Sequence, residues 1–344
     1  MHLRAGTLAA SVALVALALP GLAAADDGVT EKGVGGIVLG KTDRVAMVHE
    51  QLDVGCSQIR VSFDFLNESD GDVTHDLIFP LPAYPAFLSG MDYPAGAPAD
   101  FTIAVDGRPA PFHTLVRATV HGKDVTARLL SAGLSREQIA RFPFDQEDGP
   151  KKTPRRPATP AQMAALKQAG LLDQDDEATW NTHVHYQWRQ TFPAHRVVHV
   201  EHSYQPFIAG GTDSGYYGAA EQYTKARMHR FCATPRQTAR LEKLFADEAS
   251  RDPYGGIPGT IIDYVLTTAN TWKDGIRDFT LRIHTGSPDE VVATCFPATF
   301  RKRPGNVLEA HLKNFHPAGD LRVYIGNMRD CPGDDNWGAP PIYR

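Results

Sequence analysis

Through most of this chain apolar and polar side chains alternate with a period of two, the pattern of strands buried on one side only. The alternation is sharpest from Thr182 to Pro206, where two runs flank the break Pro193-Ala194-His195. A three-residue break between two such runs predicts an antiparallel hairpin. Pairing residues whose numbers sum to 388 gathers Val184, Tyr186, Trp188, Val198, Val200 and Tyr204 on one face, interrupted only by His202. The other face then carries His183, His185, Gln187, Arg189, His199 and Glu201. A slip of one residue would mix the two sets, so the pattern selects this register. One face is expected against a core and the other against water or a ligand.

The same period marks strands on both sides of this stretch. Ile59, Val61, Phe63 and Phe65 alternate with Arg60, Ser62 and Asp64, and Asn67 to Asp72 reads as a turn into Val73 to Phe79. Pro80-Leu81-Pro82 ends that strand, since proline cannot serve a central ladder. Phe101, Ile103 and Val105 lead to an Asp106-Gly107 turn. From Lys123 to Leu172 the period becomes helical, with capping boxes at Ser135-Arg136-Glu137-Gln138 and Thr159-Pro160-Ala161-Gln162. The charged, proline-rich run from Asp145 to Pro160 reads as a solvated loop. A third box, Thr234-Pro235-Arg236-Gln237, opens a helix to about Ser250 with Leu241, Leu244 and Phe245 as its stripe, and strands resume from Thr260 to Ile325. The predicted fold is mainly β: antiparallel β-sandwich regions with a helical insertion and one further helix. The expected division is 26–120 for an N-terminal sandwich region, 121–175 for the insertion and 176–344 for a C-terminal β region; one continuous sandwich also fits.

The first 25 residues fit none of these elements. His2 and Arg4 precede an apolar run from Leu8 to Leu19, and Ala23-Ala24-Ala25 supplies small residues before Asp26, the layout of a secretory signal peptide cleaved after Ala25. The run is too short for a bilayer, which needs ~20 apolar residues. A periplasmic or secreted protein, not membrane-spanning after cleavage, is expected. The balance of 35 basic and 40 acidic side chains gives no field that favours nucleic acid.

Several motifs resemble a known family. The run Tyr186-x-Trp188-x-Gln190-Thr191-Phe192-Pro193-Ala194, then Glu201-His202-x-Tyr204-x-Pro206, is similar to a signature of the bacterial envelope family DUF4424. Gly-Gly-Ile-Val-Leu from Gly35, Phe-Pro-Leu-Pro from Phe79, Val-Asp-Gly-Arg-Pro from Val105, Gly-Lys-Asp-Val-Thr from Gly122 and Asp-Tyr-Val-Leu-Thr-Thr from Asp263, with Trp272, match in the same order. His195 departs from the family's pattern, standing where a glycine is expected in the left-handed region. The resemblance implies an envelope location, a β-rich fold and a Cys232–Cys295 disulfide, and it supplies no catalytic residues. By elimination Cys56 would pair with Cys331, tethering a polar C-terminal tail.

Candidate chemistry is sparse. His183 and His185 share a strand face and could offer two imidazoles to a metal, with Glu201 adding an oxygen across the hairpin ladder. In that register Arg189 opposes His199, and a cation there repels a metal. Asp213-Ser214-Gly215 has no second copy, as an aspartic dyad would need. No nucleophile elbow, zincin helix or phosphate loop is present, and no cofactor is expected. Tyr216 and Tyr217, on a glycine-hinged loop beside Asp213, could stack on a sugar or a partner's side chain. The expected function is therefore a non-catalytic binding or structural module recognising a glycan or envelope protein through Asp213, Tyr216, Tyr217 and Arg189. The alternative is a metal-dependent periplasmic hydrolase using His183, His185 and Glu201.

Overall fold

The computed structural model describes residues 28–33, 36–86, 101–140, 142, 158–206, 208–209, 215–252 and 255–328. β1 (Gly28–Gly33) and β2 (Gly36–Leu39) make a short hairpin. β3 (Val45–Val54), β4 (Ile59–Asn67) and β5 (Val73–Pro80) follow, and in β4 the buried residues are the odd-numbered ones from Ile59 to Asn67. Next come β6 (Tyr84–Pro85), β7 (Thr102–Val105), β8 (Arg108–Pro109), β9 (His113–Val120) and β10 (Lys123–Asp124). Asp106 and Gly107 take φ of 48° and 73° between β7 and β8, the left-handed values of a tight hairpin.

The helical insertion contains α1 (Thr126–Ser131), α2 (Arg136–Ala140) and α3 (Pro160–Gln168). Residues 143–157, most of its expected charged loop, lie outside the described residues. The chain then forms β11 (Asn181–Phe192), β12 (Val197–Tyr204), β13 (Ile208–Ala209), α4 (Gln222–Arg230) and α5 (Pro235–Ala249). β14 (Gly259–Tyr264) leads through a 3-10 turn at Thr267–Thr271 to β15 (Lys273–His284). β16 (Val291–Ala293), β17 (Arg301–Arg303), β18 (Val307–Phe315) and β19 (Leu321–Gly326) complete it. α4 escapes a reading of hydrophobic periodicity because its buried face is Thr224, Arg227 and Met228, too polar to stand out as a stripe.

Two sheets face each other across the main core. One runs β10-β9-β11-β5-β1-β2, with β6 also on β11; the other runs β17-β18-β15-β3-β4-β12-β7-β8. Among the described residues every pair is antiparallel except β3 with β15. β3, β4 and β7 share the eight-stranded sheet with β12, β15 and β18. The expected division of the chain into N- and C-terminal β regions is therefore not a division between sheets.

The central hairpin is corrected. β11 pairs with β5, β6 and β9, whereas β12 pairs with β4 and β7, so the register summing to 388 does not form. The face assignment survives: Val184, Tyr186 and Trp188 on β11 and Val198, Val200 and Tyr204 on β12 are all buried. Their apolar faces meet across the sandwich instead of lying side by side. Alternation records which side chains are buried, and it is identical for a strand pair joined edge to edge and for one joined face to face.

Asn67, fully buried at the end of β4, holds this crossing. Its amide nitrogen donates to Phe192 O at 2.8 Å and Gly71 O at 2.9 Å, while its backbone carbonyl accepts from His195 N at 2.9 Å and its backbone N–H donates to Arg196 O at 3.3 Å. Its side-chain oxygen accepts from Ser69 N, and Asp72 Oδ1 accepts from Ala194 N at 2.9 Å. His195 sits at φ 55°, the left-handed value at which the glycine was expected. Trp272 closes this end, with its ring 4.3 Å from Phe65 and 5.8 Å from Phe192.

The insertion closes the core at β6 and β11. Ile139 O accepts from Trp180 Nε1 and Thr182 Oγ1, and Ala140 O accepts from the Tyr84 hydroxyl at 2.7 Å, so the last carbonyls of α2 find partners as helix ends require. A third sheet, β13-β14-β19-β16, turns Ile262, Tyr264 and Val323 to the main core. Its other side, with Tyr324 and Ala293, packs with Met228, Phe231 and Leu241 of the α4–α5 segment. Cys232 and Cys295 are disulfide-bonded, with Cα atoms 5.0 Å apart, and fasten the α4–α5 corner to the segment after β16. Cys56 is also disulfide-bonded; Cys331, its expected partner, lies outside the described residues. No helix among the described residues is long and apolar enough to cross a membrane.

Asn67→Ala is expected to lower the unfolding free energy by about 2 kcal/mol, because it leaves the buried Phe192 carbonyl without its partner and removes the contacts to Gly71 and Ser69. Asp72→Ala removes one exposed contact and should cost about 0.5–1 kcal/mol. Denaturant unfolding of both variants checks the difference.

Candidate functional site

The described residues singled out in the sequence for binding or metal ligation do not come together. Tyr216 is fully buried in the core beneath α4 and α5, and its hydroxyl donates to Glu242 Oε2 at 2.6 Å. Tyr217 is half-buried with its ring against Gly215 and Gly256; a Cβ at Gly256 would stand 2.3 Å from the ring. Asp213 lies outside the described residues. The tyrosines therefore fold back onto the protein and do not form an exposed stacking platform. Arg189 is exposed on the outer face of the seven-stranded sheet, with Nη1 3.2 Å from Asp76 Oδ1.

His183 and His185 occupy that same outer face, whereas His199 and Glu201 lie on the outer face of the eight-stranded sheet. The crossing at residues 193–196 puts the sandwich between them, so the set His183, His185 and Glu201 does not converge. Among the described residues no group of three or more His, Cys, Asp or Glu side chains is placed to hold a metal ion. His183 Nε2 lies 2.9 Å from Thr119 Oγ1. Burial, then the neighbouring His183 and Arg117, pushes the His185 imidazole down from 6.5 to about 4.

What the fold does assemble is a polar groove of about 550 Å³ on the outer face of the eight-stranded sheet. Strand register sets its floor. One row of partners crosses the sheet: Arg301 opposite Glu309, Glu309 opposite Arg282, Arg282 beside Asp53, Asp53 opposite Arg60, then Ser203 and Thr102. Charge alternates in sign over the five strands from β17 to β4. Glu201, from the next row, also lines the groove.

Hydrogen bonds fix these side chains in place. Arg282 Nε donates to Glu309 Oε2 at 2.9 Å, and Arg303 donates to Glu309 Oε1 from Nε at 2.9 Å and from Nη2 at 2.7 Å. These two guanidinium groups hold the Glu309 carboxyl below the usual carboxylate range. Asp53 receives Gln51 Nε2 at 2.8 Å, and His284 Nε2 lies 2.8 Å from its other oxygen. At the far side His199 Nδ1 is 2.7 Å from Asp64 and its Nε2 is 3.4 Å from Glu201. Burial disfavours the charged imidazolium of His199, but the Asp64 and Glu201 carboxylates outweigh it and raise its pKa. The result is a preorganised surface of paired charges, suited to matching a polar ligand's own charges.

Asp53, Arg60, Arg282, Arg303 and Glu309 were not singled out in the sequence. All but Arg303, which ends the all-charged run Arg301-Lys302-Arg303, sit on the polar side of an alternating run, so most of the signal was present strand by strand. Their convergence depends on the parallel pairing of β3 with β15, more than 200 positions apart in the chain, which no local pattern encodes.

His185 provides a check on the opposite face. Its depressed pKa means the unfolded chain binds the proton first, so stability is lost as pH falls from 6.5 through about 4. An NMR titration of the imidazole should give a midpoint near 4, and His185→Gln should flatten that part of the acid limb.

Comparison with known proteins adds the lineage. No curated protein matches the chain. Among solved structures, a Legionella pneumophila protein to which nutrient binding is ascribed is 12% identical with a TM-score of 0.43, over 88% of this chain and 70% of that one. A family model described as a domain of unknown function, DUF4424, matches residues 25–324. The chain thus belongs to the DUF4424 family, as the motifs around Trp188 and Tyr204 implied.

Proposed function

We propose that this protein is a non-catalytic binding module of the bacterial envelope, and that its ligand-bearing surface is the outer face of the eight-stranded sheet. The observation that carries the reading is the row of alternating charges from Arg301 to Arg60, fixed in register on the sheet, of which Glu309, Arg282, Asp53 and Arg60 line a groove of about 550 Å³. Volumes of roughly 300–1,000 Å³ suit bound ligands or an inserted segment of a partner. Paired charges supply complementarity and orientation, without a nucleophile or a metal ion.

The lining favours an envelope protein over a glycan. Sugars commonly stack on aromatic rings, and the groove's lining includes no Phe, Tyr or Trp. A protein segment carrying its own mixed charges can instead intercalate with Arg282, Asp53 and Arg60. The disulfide-bonded cysteines Cys56, Cys232 and Cys295 suit an oxidising compartment.

A photo-crosslinking residue placed at Ser203, within the groove, should capture a protein partner in cells. The same residue at Thr191, on the other sheet, should not. Binding of the captured partner should weaken at least tenfold as salt rises from about 0.05 to 0.5 M, because surface charge pairs are screened over this range. Capture from Thr191 alone, or a salt-independent affinity, would count against the groove.

A further inference from the structure

A second cleft, of about 730 Å³, opens between α5 and the β17–β18 edge. Its floor is apolar. Phe296 and Phe300 pack together at 6.1 Å, and Phe296 also meets Phe279 and Phe315 of the main core at 5.8 and 5.6 Å. Both rings are only half-buried, as is Leu308, so interior-type surface emerges here instead of being covered by a sheet. Val292 adds to the floor, and its carbonyl accepts from Gln237 Nε2 at 2.6 Å, which ties α5 to it.

The rim is basic. Arg236 and Arg240 come from successive turns of α5, and Lys302 comes from β17, on the side opposite the charge row because its register partner is the inward Leu308. Arg240 pairs with Asp289, whereas neither Arg236 nor Lys302 has an ion pair among the described residues. Glu290, the other acid at the rim, is pushed up by burial to about 7, so it is only partly ionised near neutral pH. Cys232 lines the cleft ahead of α5 and Cys295 precedes Phe296, so their disulfide joins the basic wall to the apolar floor.

From this pairing of apolar floor and basic rim we infer a binding site for a free single-chain amphipathic carboxylate, with its hydrocarbon on Phe296, Phe300 and Val292 and its carboxylate between Arg236 and Lys302. The cleft shares Arg303 and Val307 with the groove, but its ligand uses other side chains, so the inference does not depend on the function proposed for the charge row. An apolar floor gives affinity without direction, and the two unpaired cations orient the head group by charge-assisted hydrogen bonds.

The test uses the full disulfide-bonded chain and a fluorescent long-chain polyene carboxylate, with its methyl ester as control. Saturable binding of one carboxylate per chain is expected, with the ester at least tenfold weaker. Arg236→Glu with Lys302→Glu should weaken the carboxylate at least tenfold and leave the ester unchanged. Ala298→Trp, which fills the cleft, should abolish both with little change in unfolding temperature; if that variant does not fold, the double charge reversal decides. Equal binding of acid and ester, unchanged affinity in the charge-reversed variant, or uptake only from anionic phospholipid vesicles would overturn the inference.

Discussion

One buried amide carries the crossing on which the sandwich depends. Between Phe192 and Val197 the chain leaves one sheet and enters the other; the β11 ladder ends at the buried Phe192, whereas His195 to Val197 are exposed. Asn67 meets both ends, with its side chain on Phe192 O and its backbone on His195 and Arg196. A buried backbone group without a partner costs about 1–3 kcal/mol, so the Phe192 carbonyl depends on the Asn67 amide. With the crossing fixed, the inner faces of β11 and β12 meet through rings: Tyr186 stacks on Phe101 at 3.7 Å, and His202 lies 5.2 Å from Trp188 and 4.8 Å from Phe79. Val198 and Val200 fill the space beside them.

The same crossing decides where chemistry can occur. Because β11 and β12 point their polar sides in opposite directions, the histidines of β11 and the acid of β12 cannot share a ligand. Each outer face is then a separate surface, assembled from whichever strands happen to neighbour one another. On the eight-stranded sheet those neighbours are distant in the chain. Register shifts between Met47 and His49 and between Lys273 and Ile276 precede the stretch in which Asp53 lies beside Arg282. The charge row is thus a product of tertiary register, and apart from β17 it sits on strands whose other sides are core.

Much of this was legible in the sequence. The odd-numbered face of β4, the buried set of β11 and β12, the capping boxes at Thr159 and Thr234 and the left-handed position of His195 all follow from local chemistry, and local chemistry is what a sequence displays. Strand partnership is not local. A break of Pro-Ala-His joins two strands equally well side by side or face to face, and the choice falls to Asn67, well over a hundred positions earlier. Tyr216 and Tyr217 illustrate the same limit: glycine neighbours suggest an open loop, but Gly215 and Gly256 instead let the Tyr217 ring approach the backbone. Exposure of an aromatic loop is a tertiary property, and the groove that replaces it as the candidate site is built from residues that look like ordinary solvated strand faces.

The central claim is that β11 and β12 belong to opposing sheets, since the location of every candidate surface follows from it. Nitroxide labels introduced at Gln187 and Glu201 by chemistry that spares the cysteines would test it by pulsed dipolar spectroscopy. Both positions point outward from a sandwich whose sheets stand ~10 Å apart, so a distance of roughly 25 Å is expected. In an edge-to-edge hairpin these two residues would be direct partners with Cα atoms about 5 Å apart, and a label separation within about 10 Å would contradict the account.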